Sequence, residues 1–269
     1  MQIRIAPSLG DLEGRHQDVW GTTEYINQDD PTVFFGLYGL PDFYALWKHR
    51  GDKYILWAGS DIRHFSSGYW LEDRADGLKL DPKVLANWIN KHCESWVENE
   101  VEAEALGKFG IQSYVCPSFM GNIDNYKISY QYSDKPKMYA SVSGDDFLLY
   151  GWDKIEKLAY ENPHVEFHLY GNTKPWNTLK QNIIVHGRVP KEQMNEEVKT
   201  MQGGLRMVEF DGFSEIIAKS MLWGQYPVSI ISYPYVLSSI PKVFPKKPNV
   251  EAAVWCRTHL NRFPWNTNL

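Results

Sequence analysis

The chain has 269 residues, of which 43% are hydrophobic, 14% aromatic and 23% charged. These are the proportions of a folded protein and exclude disordered and fibrous classes, and the length allows two domains, each with a core of its own. Twenty-eight Lys and Arg against 33 Asp and Glu give a net charge of -5, so no overall positive field draws in nucleic acid and none is expected as a partner.

No apolar run approaches the roughly 18–20 residues that span a bilayer, and Met1-Gln2-Ile3-Arg4-Ile5 lacks the basic start and apolar middle of a secretory signal. A cytoplasmic protein without a transmembrane segment is expected. Cys93, Cys116 and Cys256 are odd in number and widely spaced, which fits buried thiols rather than disulfides or a CxxC metal or redox site.

In chain order, Ile3 to Ala6 reads as a first strand, followed by the glycine-flanked loop Gly10-Asp11-Leu12-Glu13-Gly14, an ordinary turn or a loop that approaches a ligand. Thr32 to Leu37 is a strand, Pro41 to His49 a proline-opened helix and Tyr54 to Trp57 the next strand. Asp81-Pro82 caps and opens a helix with Val84, Leu85, Trp88 and Ile89 on one face. Ser95 to Glu98 is a short strand, Asn99 an N-cap for a helix that Gly110 ends, and Ser113 to Cys116 another strand. Between Gly121 and Pro136 the apolar periodicity lapses into Asn, Asp, Lys, Ser and Tyr, the mark of a linker.

Beyond it, strands are expected at Lys137 to Val142, Val165 to Leu169, Asn182 to Val185, Leu205 to Val208 and Pro227 to Ile231. Helices are expected at Trp152 to Tyr160, Pro190 to Met201, Ser214 to Trp223 and Asn249 to Leu260, the last spaced by Val250, Val254 and Leu260. Short apolar runs alternating with helices are the signature of βαβ units around parallel sheets, so the fold class is α/β with two Rossmann-like domains. The domains are read as residues 1–125 and 137–248, joined by a linker at 126–136, with a helix and tail at 249–269 packing back toward the first domain.

No GxGxxG, GxxxxGK[ST], GxSxG or HExxH motif occurs. The informative stretch is Leu205 to Gly224, where a strand runs through Glu209-Phe210-Asp211-Gly212-Phe213-Ser214 into a helix. Unpaired amides at such a turn receive an anion or a hydroxylated ligand at the carboxyl end of a sheet. The alternative is that Asp211 starts a turn and Ser214 caps the helix.

That stretch, with Gly224 and Tyr226-Pro227-Val228, resembles the donor-site segment of GT-B glycosyltransferases, and in particular of family 4 and its relatives. Tyr150-Gly151-Trp152-Asp153, Val165 to Gly171 and Ile184 to Pro190 agree in order. Trp57-Ala58-Gly59-Ser60-Asp61-Ile62 and Glu98-Asn99-Glu100-Val101 more loosely resemble the family's acceptor domain. The resemblance implies two Rossmann-like domains facing a cleft, and transfer of a sugar from a nucleotide-diphosphate sugar with retention, without an obligatory metal or other cofactor. It gives Asp211 the role of the carboxylate that accepts bonds from the donor sugar, helped by the amides of Gly212, Phe213 and Ser214. Arg188 and Val189 fall in the loop beside the base, and Arg206 is a diphosphate partner. On the acceptor side stand Gly10, Gly59 and Ser60, with Asp61 as the nearby catalytic carboxylate. The acceptor itself, whether glycan, lipid or small molecule, is left open, as is the oligomeric state.

Three departures keep a non-catalytic binding or partner role in view. Lys219 stands where the family has a ribose-gripping Glu, and a cation has no acceptor to offer. Ser143-Gly144-Asp145-Asp146 stands in place of a phosphate-binding Arg and Lys pair, and Ala58 or its neighbour in place of a His, with His64 and Asp61 nearby. If Lys219 has taken over the missing phosphate role, it is donor-binding. Trp70 and Trp176 are candidates to stack on sugar rings, whereas Trp223 belongs to the core.

Overall fold

The computed structural model describes residues 1–12, 14–67, 82–142 and 146–268. The cap at Asp81, Trp70 and the stretch Ser143 to Asp145 lie outside the described residues. Two units divide the chain, one of Met1–Asn122, Phe210–Phe213 and His259–Leu269, the other of Ile123–Glu209 and Ser214–Thr258.

In the first unit, β1 (Gln2–Ile5), β2 (Thr23–Glu24), β3 (Thr32–Phe35), β4 (Lys53–Leu56), β5 (Glu94–Val97) and β6 (Ser113–Val115) form one sheet in the order β2-β1-β3-β4-β5-β6. Every pairing is parallel. Its described α-helices are α1 (Arg15–Trp20), α2 (Leu40–Lys48), α3 (Ser60–Ser67), α4 (Pro82–His92) and α5 (Glu100–Gly107). Thr32, Val33, Phe34 and Phe35 are all buried, without alternation, because a parallel sheet is covered on both faces. Phe34 joins Ile55, Trp57, Leu85 and Ile89 on one face. Val33 and Phe35 join Trp20, Leu56, Phe263 and Trp265 on the other.

The last two of these come from the carboxyl-terminal tail, where Phe263 stacks on Trp265 at 4.5 Å. Asn261 ties the tail to β6's exit: its side chain accepts from Phe119 N at 2.9 Å and donates to Phe119 O at 2.9 Å. The helical face expected in α4 is corrected at one position. Val84 is 57% exposed, and Ala86 takes its place beside Leu85 and Ile89.

In the second unit, β7 (Lys137–Ser141), β8 (Glu166–Tyr170), β9 (Ile183–Gly187), β10 (Gly203–Arg206) and β11 (Val228–Ser229) form a parallel sheet in the order β11-β10-β7-β8-β9. Its α-helices are α6 (Trp152–Glu161), α7 (Lys191–Val198), α8 (Glu215–Leu222) and α9 (Val250–His259, whose last residue groups with the first unit). The strand expected from Leu205 begins two residues earlier, at Gly203. Its glycines are needed: a Cβ at Gly203 would overlap Tyr226 O and one at Gly204 would overlap Ile216 of α8. Helix α8 therefore lies against bare backbone, and Ser220 Oγ accepts from Gly204 N at 3.0 Å.

The stretch 126–136, read as a linker, groups with the second unit. Tyr126 and Tyr130 are buried, and the amides of Ser129 and Tyr130 donate to Trp223 O. Polar composition conceals this because each tyrosine buries its ring and satisfies its tip, as Tyr130 does on Pro245 O at 2.6 Å. Helix α9 also turns a different face inward from the one its spacing suggests. Val250 and Val254 are about half exposed, while Ala252, Ala253 and Cys256 are buried, small residues that let the helix approach closely. Cys116 is buried too and Cys93 half-buried, and all three cysteines are free.

Candidate functional site

The carboxyl ends of β4 and β5 carry the chemistry of the first unit, as expected for an open parallel sheet. After β5 the chain turns at Glu98 and Asn99 into α5. Asn99 caps that helix, its Oδ1 accepting from Glu102 N at 3.1 Å, while Glu102 Oε2 accepts from Glu98 N at 2.7 Å. Glu102 thus accepts from the amide just before the cap residue, a variant of the capping box.

The same turn receives the segment Asp211-Gly212-Phe213. Asn99 Nδ2 donates to Asp211 O at 2.7 Å and Phe213 N donates to Glu98 Oε2 at 2.7 Å. Ser118 Oγ donates to Glu98 Oε1 in a short bond. Both of these bonds reach the backbone of the segment.

Two glycines make this approach feasible. Gly59 has φ +79, and a Cβ there would lie 3.0 Å from both Glu102 Oε1 and Gly212 N. A Cβ on Gly212 would overlap Glu98 Oε2. Gly59, expected on the acceptor side, thus provides close backbone contact with the segment that carries Asp211.

Four carboxyl groups gather here: Asp61, Glu98, Glu102 and Asp211. Burial pushes Glu98 up to about 7, with Ser118 and Phe213 N opposing the rise. Burial, then the neighbouring Glu98, holds Glu102 well above the usual carboxylate range. Glu102 is fully buried and its Oε1 has no hydrogen-bond partner. Burial and the mutual repulsion of the two carboxyls both favour their protonated forms.

Asp61 is fully buried at the start of α3, and its oxygens accept from Leu37 N at 2.8 Å, Ala58 N at 3.0 Å and Ile62 N at 2.8 Å. In this geometry it braces the exits of β3 and β4, and burial pushes it up to about 6. Ser60 Oγ pairs with Tyr38 Oη at 2.8 Å. Gly10 lies in a 3-10 helix (Pro7–Leu12), with open space where a Cβ would stand.

The second unit holds the remaining expected donor residues. Arg206 ends β10 with its guanidinium 4.6 Å from the Tyr150 ring centre. Ser214 precedes α8 but its side chain makes no cap bond. One turn into α8, Lys219 is buried, with Nζ 3.4 Å from Glu215 Oε2, and Lys191 Nζ is 3.7 Å from Glu215 Oε1. The helix therefore does carry a carboxylate, one turn before the position where the resemblance expects it. Arg188 and Val189 follow β9, Arg188 exposed and Val189 half-buried. Trp223 is buried, and Trp176 packs edge-on against Trp152 at 5.7 Å, as core residues do.

Glu98 and Glu102 are the residues that sequence reasoning missed. Glu98 stands in the segment that loosely resembles the acceptor domain, with no role given to it there, and Glu102 is signalled by the spacing Asn99-x-x-Glu102, which reads as a helix cap. Their meeting with residues 211–213 is a contact across more than a hundred positions.

No family model matches the sequence, and no curated protein matches it. Among solved structures the chain is similar to a variant of S. aureus TarM in complex with Fondaparinux, alpha-GlcNAc-glycerol and UDP. Identity is 13% and the TM-score 0.53, over 87% of this chain and 52% of that one. It is similar to sucrose-phosphate synthase from Thermosynechococcus elongatus at 10% identity and a TM-score of 0.51, over 74% of this chain and 55% of that one. It is also similar to Anabaena Alr3699/HepE in complex with UDP-glucose at 14% identity and a TM-score of 0.52, over 84% of this chain and 68% of that one. The chain spans about half the length of the first two. At these identities the likeness shows the fold: two Rossmann-like α/β units, as in GT-B glycosyltransferases.

Proposed function

We propose that the chain transfers a sugar from a nucleotide-diphosphate sugar to an acceptor hydroxyl, with retention and without an obligatory metal. The observation that carries this reading is the Asp211-Gly212-Phe213 turn, fixed by its backbone to Glu98 and Asn99 at the carboxyl end of the first sheet. Asp211 accepts bonds from the donor sugar, and Arg206 neutralises the diphosphate as it leaves. Solved structures of the same fold with UDP or UDP-glucose bound support a uridine nucleotide as the first donor to test. The acceptor is a glycan, a lipid or a small molecule, because pocket shape and not fold decides it.

A second reading is a binding or partner protein that has lost turnover. Lys219 in the place of a ribose-holding carboxylate and the capture of the Phe213 amide by Glu98 favour it. Thermal shifts against a panel of nucleotides and nucleotide sugars test the proposal. A ligand at 100 times its dissociation constant stabilises by about 2.7 kcal/mol. A response to nucleoside diphosphates supports donor binding, and a flat response to all of them overturns the transferase reading.

A further inference from the structure

Two loops of the second unit meet at the amino ends of its strands, opposite the end that carries Arg206: Tyr126 to Pro136, which leads into β7, and Pro241 to Asn249, which leads into α9. Tyr130 Oη donates to Pro245 O at 2.6 Å, Tyr226 Oη to Lys247 O at 2.8 Å, and Asn249 N to Gly224 O at 2.7 Å. Ile128 and Pro248 each stand 3.1 Å from the position a Cβ would take at Gly224, so the two loops share one surface there. Lys246 Nζ lies 5.7 Å from the centre of the Tyr132 ring, which joins them a second time. Nothing in the proposed transfer uses this face.

Its charge departs from that of the chain. The net charge of the whole sequence is -5, yet no Asp or Glu stands between Glu215 and Glu251, nor from Asn125 to Ser133. Lys127, Lys246 and Lys247 are exposed, and among the described residues none of the ion pairs uses them. The acids at its edge are Asp134, which accepts from Tyr132 Oη at 2.9 Å, and Glu251 in the first turn of α9. The face therefore carries a local excess of positive charge that attracts an anionic surface.

Aliphatic side chains are set among these lysines. Ile128 is 44% exposed beside Lys127, and Val250 is 48% exposed at the start of α9, just past Lys246 and Lys247. Pro245 and Pro248 and the bonds to Pro245 O and Lys247 O fix the backbone that presents them, so little freedom is lost on docking. Lysines interleaved with exposed aliphatic groups suit a partner that is anionic at its surface and apolar just beneath, as a bilayer is and a nucleic acid is not.

We propose that this face docks the protein on an anionic lipid bilayer, with Lys127, Lys246 and Lys247 among the headgroups and Ile128 and Val250 reaching the acyl boundary. It is separate from the donor residues, and its test does not depend on the transferase reading.

The experiment is sedimentation of the full chain with vesicles of phosphatidylcholine alone and of phosphatidylcholine mixed with phosphatidylserine. At about 0.1 M salt the mixed vesicles are expected to bind at least about tenfold more tightly than the neutral ones, and at about 1 M salt the difference should vanish. A lysine near an anionic surface is worth about fivefold in affinity, so Lys246→Glu combined with Lys247→Glu should weaken binding by at least about twentyfold. Ile128→Gln should weaken it by about threefold or more, through lost apolar insertion. Lys154→Glu, in the first turn of α6 at the opposite end of the sheet, should leave it within about twofold. No affinity for either vesicle, equal affinity for both, undiminished binding by Ile128→Gln, or as large a loss in Lys154→Glu as in the double reversal overturns the assignment. Binding of duplex RNA without binding of vesicles does the same. If the double reversal does not fold, Lys246→Gln combined with Lys247→Gln decides, and undiminished binding by that variant overturns the assignment.

Discussion

Replacing Glu98 by Gln isolates the cost of gathering carboxyl groups around the Asp211 segment. The amide oxygen can still accept from Phe213 N and its NH2 can donate to Ser118 Oγ, so these two contacts survive while the titration is removed, and the bond from Ser118 N is weakened. In the wild type the Glu98 carboxyl is raised from its ordinary 4.5 to about 7. Its contribution to stability is therefore full below about pH 4.5 and is lost as pH rises through about 7. The ionised form carries a penalty of order 3 kcal/mol. Against this, Gln gives up a charge-assisted bond to Phe213 N, worth about 1 kcal/mol more than a neutral one.

The variant is thus expected to be no more stable than wild type at about pH 5, and more stable by about 2 kcal/mol at about pH 8. For a chain of this length that is a rise in Tm of about 4–8 °C. Thermal unfolding of both proteins at the two pH values measures the difference. Parallel Tm curves across that range would refute the argument, since they would mean that Glu98 is an ordinary solvated carboxylate.

Three further perturbations follow from the same packing. Gly212→Ala drives a methyl into Glu98 Oε2 and should cost about 1–3 kcal/mol in chemical denaturation; an unchanged midpoint would show that the segment does not dock as described. In the second unit, His168 Nε2 faces Glu166 Oε1 at 2.7 Å and His168 Nδ1 faces His186 Nε2 at 2.8 Å, with Tyr170 stacked on His186 at 4.2 Å. Burial lowers both histidines, so their contribution is present above about pH 6.5 and is lost on acidification; His186→Gln, which keeps a donor for His168, should flatten the acid limb of the Tm curve. Lys219→Glu sets two carboxylates one turn apart on α8 and should destabilise by about 2 kcal/mol, whereas a gain in nucleotide affinity would show that Lys219 blocks the ribose site rather than serving the phosphates.

Much of the fold could be read along the chain because parallel strands buried on both faces, such as Thr32 to Phe35, leave unbroken apolar runs between helices. Asn99 was legible as a cap for the same reason: its partner Glu102 is three residues away. What escaped depends on distance or on fit. Glu98 acquires its role from Phe213, far along the chain, and β10 begins on Gly203 and Gly204, which carry no apolar signal because their purpose is to have no side chain. Val84, Val250 and Val254 have the right spacing yet face outward, since alanines beside them pack closer. The Asp-Gly-Phe turn was visible as a motif, but not the groups it would meet. Asp61, expected as a catalytic carboxylate, has its oxygens occupied by backbone amides, which no pattern in Gly59-Ser60-Asp61 announces.

Release of nucleoside diphosphate tests the account most directly. The protein is given UDP-glucose and other nucleotide sugars with a mixed set of hydroxylated acceptors, and wild type is compared with Asp211→Asn. The turn tolerates Asn equally well, so the fold should persist, while the lost charged hydrogen bond of about 1.5–3 kcal/mol slows release by about ten- to a hundredfold. No release from any nucleotide sugar, or equal rates in the two proteins, would contradict the assignment of Asp211 to the donor sugar and of the chain to glycosyl transfer.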